Sequence, residues 1–221
     1  MKKLVSFLLI FLPISFFSQE SVSPKLRKFD LGFNYSADYS YRTIKSNEIS
    51  RDIVNFYDTI ESAKYGYTTG ISGTYFNSNK LSVTLGFLWS DKGEKSEVFV
   101  NSTNSRLKHH YYYLDIPIKA NYYLIKQTNK FYVTAGISSN LFLFSNSSNF
   151  SNEKAVKNII NLNPVNFAVI GGVGFDFELS DSWLFKSEIL YRHSIQPIMS
   201  SPLKRSLFST GVNFGFFYQI K

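Results

Sequence analysis

The stretch that decides the fold is Phe208-Ser209-Thr210-Gly211-Val212-Asn213-Phe214-Gly215-Phe216-Phe217-Tyr218-Gln219-Ile220. Every even position except Thr210 is apolar, and the odd positions are Ser, Gly, Asn, Gly, Phe and Gln. A period of two marks an extended strand whose two faces meet different surroundings. Soluble strands usually run to about 5–6 residues, whereas a strand that crosses hydrocarbon needs about 9–11. This stretch has the longer measure.

Working back along the chain, the same alternation recurs over 29–41, 65–76, 81–90, 112–124, 131–143, 165–178 and 183–192. No window shows a convincing helical repeat. The connections alternate in length: short around 77–80, 125–130 and 179–182, and long over 42–64, 91–111, 144–164 and 193–207. The long ones are rich in Ser, Asn and charge. Short turns on one side and long loops on the other is how outer-membrane barrels are built, with the turns periplasmic and the loops extracellular. The expected fold is therefore all-β, an antiparallel transmembrane β-barrel of about eight strands.

The two faces differ sharply. Over the eight windows one face holds 51 residues, of which only Thr69, Gly73, Ser139, Gly171, Ser187 and Thr210 are not apolar. The other holds 47, mostly Gly, Ser, Thr and Asn, with nine charges. A soluble lipocalin-like barrel would turn the apolar face inward. An eight-stranded interior has room only for ordinary side chains or one small ligand, and this many Phe, Tyr and Leu cannot enter it. A membrane barrel turns that face to lipid, where a Lys or Arg at mid-depth costs about 2–4 kcal/mol. Aromatics also gather near both strand ends. Phe29, Phe131, Phe175, Phe177 and Trp183 lie at one level, and Tyr39, Tyr41, Tyr65, Tyr67, Trp89, Tyr112 and Tyr191 at the other. These are the girdles expected where rings meet headgroups.

Composition agrees. The chain of 221 residues carries 22 Phe and 15 Tyr, yet its mean hydropathy is close to neutral, unlike a helical membrane protein. It has no Cys, which excludes disulfides, thiolate metal sites and a lipoprotein anchor. Lys2 and Lys3 followed by apolar Leu4–Phe17 and small Ser18 read as an export signal over 1–18, cut between Ser18 and Gln19. Residues 19–28 then form a short periplasmic segment, and 29–221 the barrel domain in the outer membrane. The formal charge of +8 comes from scattered basic residues. With only Lys25/Arg27/Lys28 and Lys204/Arg205 clustered, no nucleic-acid stripe is present.

The stretch Tyr112-Tyr113-Leu114-Asp115-Ile116-Pro117-Ile118-Lys119 resembles a strand of the PorT-type outer-membrane β-barrel proteins. Ile170-Gly171-Gly172-Val173-Gly174-Phe175 and Gly211-Val212-Asn213-Phe214-Gly215-Phe216-Phe217 are similar to its later strands. The resemblance covers about 29–221. It implies a Gram-negative outer-membrane barrel. It also implies an association with protein secretion and gliding for the name-giving member, with little indication of activity for the rest.

The inward charges are Asp30, Asp38, Asp115, Lys119, Asp176, Glu178, Lys186, Glu188 and Arg192. Small barrels are filled by side chains, so these are expected to plug the lumen as paired charges, and neither a proton path nor a catalytic cluster is preferred. His109, His110 and His193 fall at the loop-side ends, near Ser105 and Ser194. Outer-membrane lipid hydrolases and acyltransferases place catalytic groups there, which leaves a lipid-modifying enzyme as the second function class and a narrow pore as the third. Adjacent His residues on a strand point to opposite faces, which weighs against a metal at His109-His110. No phosphate loop, zincin helix or dinucleotide fingerprint is present, and no cofactor is expected. The preferred reading is a structural or interaction barrel in contact with outer-membrane lipid and lipopolysaccharide. Protein partners would be reached through the extracellular loops or periplasmic turns.

Parity fixes one register. Directly paired antiparallel residues share a face, and outward residues are odd in both 165–178 and 183–192. Paired numbers therefore sum to an even value. A sum of 362 leaves Ser180-Asp181-Ser182 as a three-residue turn, a common hairpin length. It sets Asp176 opposite Lys186, where an ion pair with a share for Glu178 is expected.

Overall fold

A computed structural model of the chain describes residues 28–45, 51–100, 103–124, 129–149, 152–157, 162–198 and 204–220. The expected signal 1–18 with its Ser18–Gln19 junction lies outside the described residues, as do 19–27. In chain order the elements are β1 (Phe29–Lys45), α1 (Arg51–Ile60), β2 (Glu61–Phe76), β3 (Leu81–Val100), β4 (Thr103–Tyr123), β5 (Lys130–Asn149), β6 (Asn152–Lys157), β7 (Val165–Glu178), β8 (Trp183–Ser194) and β9 (Lys204–Ile220).

Eight of the nine strands form one antiparallel ring. Each pairs with its sequence neighbours, β5 pairs directly with β7, and β9 returns to β1, where Phe29 faces Ile220. A closed ring leaves no open edge, so backbone N–H and C=O groups are satisfied within the hydrocarbon. β6 pairs with the outer end of β5 and stands beside the ring. The two short turns with described residues are built alike. Ser78 Oγ accepts from the N–H of Lys80 and Leu81 at 3.2 and 3.1 Å, and Ser180 Oγ accepts from those of Ser182 and Trp183 at 3.4 and 3.2 Å. A serine at the start of a tight turn satisfies donors that the ladder has left behind. The turn Ser180–Ser182 and the pairing of Asp176 with Lys186 have the register that parity requires.

The faces sort as the alternation predicts. Phe33, Ile71, Ile118, Ile137, Ile189 and Phe216 are about half exposed on the outer wall, whereas Asp30, Ser36, Thr74, Ser82 and Asp176 have no exposure. One glycine shows how tightly the inside is filled. A Cβ at Gly211 would stand 1.9 Å from Asp38 Oδ1 and 2.7 Å from Ser36 Oγ.

The strands are longer than expected at the long-loop end. The segment 91–111, expected as a loop, is ladder almost throughout: β3 runs to Val100, and β4 begins at Thr103. β1, β2, β5 and β9 likewise extend past the expected windows, and 51–60, expected within a loop, is helical. The reason is physical. Above the membrane the outer face no longer meets lipid, so its apolar residues stop, but the hydrogen-bonded ladder does not need lipid to continue.

Candidate functional site: the filled lumen and its cap

From the short-turn end upward, the lumen is a stack of paired charges. At the floor, Lys186 donates to Thr74 Oγ1 at 3.1 Å and lies 3.6 Å from Asp30 Oδ2, with its ammonium 4.5 Å from the centre of the Phe217 ring. Asp176 sits opposite Lys186 in the ladder, and its Oδ2 accepts from Tyr123 at 3.2 Å. Glu178 is exposed at the rim and pairs with Lys130 at 2.9 Å. The expected share of Glu178 in the Lys186 ammonium is therefore replaced by a rim pair with a neighbouring strand.

At mid-height Glu188 receives four hydrogen bonds. Lys119 gives two, at 2.7 and 2.8 Å, Tyr132 one at 3.0 Å and Asn213 one at 2.8 Å. Above it, Asp38 accepts from Arg192 at 2.8 Å, Ser36 at 2.6 Å and Thr68, and Lys92 pairs with Asp115 at 2.7 Å. The Lys119–Glu188 pair crosses the lumen from β4 to β8, whereas Asp38 on β1 and Arg192 on β8 reach each other over the intervening β9, and Lys92 and Asp115 lie on the adjacent β3 and β4. Buried charges are tolerable when paired and hydrogen-bonded in this way. The cavity beside them, lined by Asn34, Thr84, Lys119, Arg192 and Asn213 among others, has about 30 Å³. That is space for one or two water molecules.

The long-loop end carries a second, taller network in the ladder extensions. Arg42 binds Glu61 and, at 2.7 Å, Asp58 of α1. Arg205 reaches Glu61 at 3.2 Å and Glu94 at 3.3 Å, and stacks 4.7 Å from the Tyr57 ring of α1. Tyr111 donates to Glu94 at 2.8 Å. Burial pushes the Glu94 carboxyl up to about 7; the bond from Tyr111 and the charges of Arg205 and Arg42 oppose that rise, and Glu61 adds to it. Burial also lowers Arg42, but its bonds to Asp58 and Glu61 outweigh this and leave it raised. Beside this network Leu162, Ile198 and Leu207 pack on Tyr111 and Tyr113 as an apolar cluster over the lumen. The bonds from Asn163 Nδ2 to the Pro197 carbonyl at 2.7 Å and from Asn166 Nδ2 to that of Gln196 at 2.6 Å tie the two loops together.

The model of the outer membrane protein beta-barrel domain family matches residues 17–200. The chain belongs to this family. No curated protein matches the sequence. Among solved structures, the chain is similar to the neisserial surface protein NspA, with 13% identity over 87% of this chain and 97% of that one and a TM-score of 0.47. It is similar to OprG of Pseudomonas aeruginosa, with 13% identity, 88% and 96% coverage and a TM-score of 0.46. It is also similar to Ail of Yersinia pestis, with 11% identity, 87% and 99% coverage and a TM-score of 0.42.

Within this outer-membrane barrel the histidines are dispersed. His109 points inward and is held between Ser147 Oγ at 2.7 Å and Ser96 Oγ at 3.0 Å, and burial lowers its pKa. His110 stacks on Tyr112 and meets both Asp91 oxygens at 2.9 and 3.0 Å and Lys64 Nζ at 2.8 Å. His193 stacks beside Tyr191 on the outer wall, whereas Ser194, next in the strand, is buried inside. The pair His193/Ser194 therefore straddles the wall and cannot act as a dyad. The side chain of Ser105 lies outside the described residues. Among the described residues no three His, Cys, Asp or Glu side chains gather as a metal site.

Arg42, Glu61, Lys92, Glu94, Tyr111 and Arg205 were not among the expected inward charges, because they fall in segments read as loops. The signal was present: Lys92, Glu94 and Ser96 keep the even-inward parity of β3. Following polar parity past the last apolar residue would have found all of them but Glu61, which the irregularity between Ala63 and Tyr67 shifts off the even-inward parity of β2.

Proposed function

We propose that the protein is a closed, non-conducting outer-membrane barrel that displays its long-loop end as an interaction surface for outer-leaflet lipid and protein partners. The observation that carries this reading is the Lys119–Glu188 clasp across the lumen, supported by the Arg192–Asp38 pair above it and the Leu162/Ile198 cluster over it. A water-filled channel needs a larger barrel or an unfilled lumen. The likeness of Tyr112–Lys119 to PorT-type strands supports a place near those members within the family. Export begins, on this reading, with the signal 1–18 cut between Ser18 and Gln19, which N-terminal sequencing of the mature protein tests.

The experiment for the main reading joins two measurements. Reconstituted protein should give no swelling of sugar-loaded liposomes above protein-free vesicles, and cross-linking in intact cells should capture partners through residues of the long-loop end. Steady swelling would overturn closure. Partners captured solely through 77–80 or 179–182 would overturn the display of that end. The lipid-modifying alternative is not favoured at His109, whose ring nitrogens both meet serines, nor at His193, on the opposite face from Ser194; at His110 the Asp91 carboxylate is shared with Lys64.

A further inference from the structure

We propose that Lys64 of β2 and Asp91 of β3 condense into an amide bond, with His110 of β4 as the proton carrier. The barrel then cross-links itself at its long-loop end.

The three side chains meet where the ladder is irregular. Between Ala63 and Tyr67 the register of β2 against β3 shifts, and a bulge of this kind re-aims the side chains within it. Lys64 Nζ comes to 2.5 Å from Asp91 Oδ1, with the lysine side chain 1% exposed and the aspartate 7%. Gly66 lets the two strands close here, since a Cβ on it would stand 2.0 Å from the Asp91 carbonyl oxygen. His110 Nδ1 lies 2.8 Å from Lys64 Nζ, and 3.0 and 2.9 Å from the two Asp91 carboxylate oxygens. The imidazole is held by stacking on Tyr112, which pairs with Asp91 in the ladder. One ring nitrogen is thus in reach of both the nitrogen that attacks and the oxygen that leaves.

A lysine beside an aspartate ordinarily rests as an ion pair, and two features here favour condensation. Burial disfavours charge, and it lowers the Lys64 ammonium below its ordinary value although the charge and hydrogen bond of Asp91 oppose this. A desolvated lysine amine is a nucleophile. Groups held at contact distance also react as one molecule, with effective molarities of about 10⁵–10⁸ M.

The step balances without a co-reactant. One proton passes from the ammonium through His110 to the carboxylate, leaving a neutral amine and a neutral acid. The nitrogen lone pair attacks Cγ of Asp91, and the C–N bond forms. A second proton follows the same route to the departing hydroxyl, the C–O bond breaks, and one water leaves past His110, whose side chain is 20% exposed. Nothing is oxidised or reduced. Lys92 and Asp115 also pair at 2.7 Å, but no histidine reaches them among the described residues, so they should stay an ion pair.

The test takes the chain unfolded from inclusion bodies, refolds it in detergent, and reads tryptic peptides of the denatured product by mass spectrometry over time. The folded parent should yield a branched peptide joining 52–80 to 81–92, one water lighter than the two together, because a modified Lys64 resists trypsin. The same peptide should come from protein isolated from outer membranes. Lys64→Arg keeps the ion pair and the folded gel mobility, and should yield no branched peptide. His110→Gln should slow its appearance by at least about a hundredfold. Cleavage at Lys64 in the folded parent, with the two peptides separate, overturns the bond. A His110→Gln chain that cross-links at the parental rate, or a Lys92–Asp115 link formed as readily, overturns the proton carrier.

Discussion

At Glu188 one buried carboxylate holds Lys119, Tyr132 and Asn213 together across the lumen. Removing the carboxylate leaves the Lys119 ammonium buried and unmatched, so Glu188→Ala should lower stability by about 3–5 kcal/mol. The paired replacement Lys119→Met/Glu188→Leu should recover most of that loss, because neither charge then remains. Urea titration of heat-modifiable gel mobility reads both. Glu94 tests the cap in another way. Its carboxyl is raised to about 7 in the folded protein, above its ordinary value near 4.3 in an unfolded chain. Between these values the folded state binds more protons, so stability falls as pH rises from about 4.5 to 7 and stays lower above that. The cap should therefore resist proteolysis better at pH 5 than at pH 8. Glu94→Gln should flatten that dependence, and an unchanged pH profile in the variant would assign it to another group.

At the scale of elements, the transmembrane part of each strand was legible because lipid enforces a strict rule on one face. Leu85 and Val169 stand on that face, 44% and 42% exposed. Leu85→Arg or Val169→Arg should each cost about 2–4 kcal/mol of insertion free energy, measured as the fraction of folded species in vesicles. Ser138→Ala, on the inner face, should fold nearly as the parent does, because only its bond to Asn140 at 2.7 Å is lost. Equal damage from both sets would reverse the facing. Beyond the membrane the rule lapses, and legibility lapsed with it. Asp91, Lys92 and Glu94 look like loop composition, yet they continue β3. α1 was missed because its ten residues fall short of the length at which a helical period separates from noise. Its Asp58 and Tyr57 matter only through the distant Arg42 and Arg205.

For the whole molecule, the register of β7 against β8 followed from parity, but the pair that crosses the lumen did not. Lys119 of β4 and Glu188 of β8 meet only once the ring has a diameter, which no local pattern encodes. Orientation is a property of the same scale. Protease added to intact cells should cut within 46–50 or 199–203 and spare 77–80 and 180–182, and the reverse pattern would invert the barrel. The seam between β1 and β9 has a further consequence in time. It runs from Phe29 opposite Ile220 to Lys45 opposite Lys204, so the first strand made waits for the last. Contacts between such distant parts of a chain form slowly, because loop closure must come before they reward it. Until residues 204–220 arrive, β1 presents a full row of unpaired donors and acceptors, which hydrocarbon does not accept and which invites another strand to pair with it. The chain therefore has to be kept apart from its copies while it travels. Because hydrocarbon does not accept the open edge, insertion is expected to be concerted, and a protease-resistant, partly inserted stage seen on refolding into vesicles would overturn this.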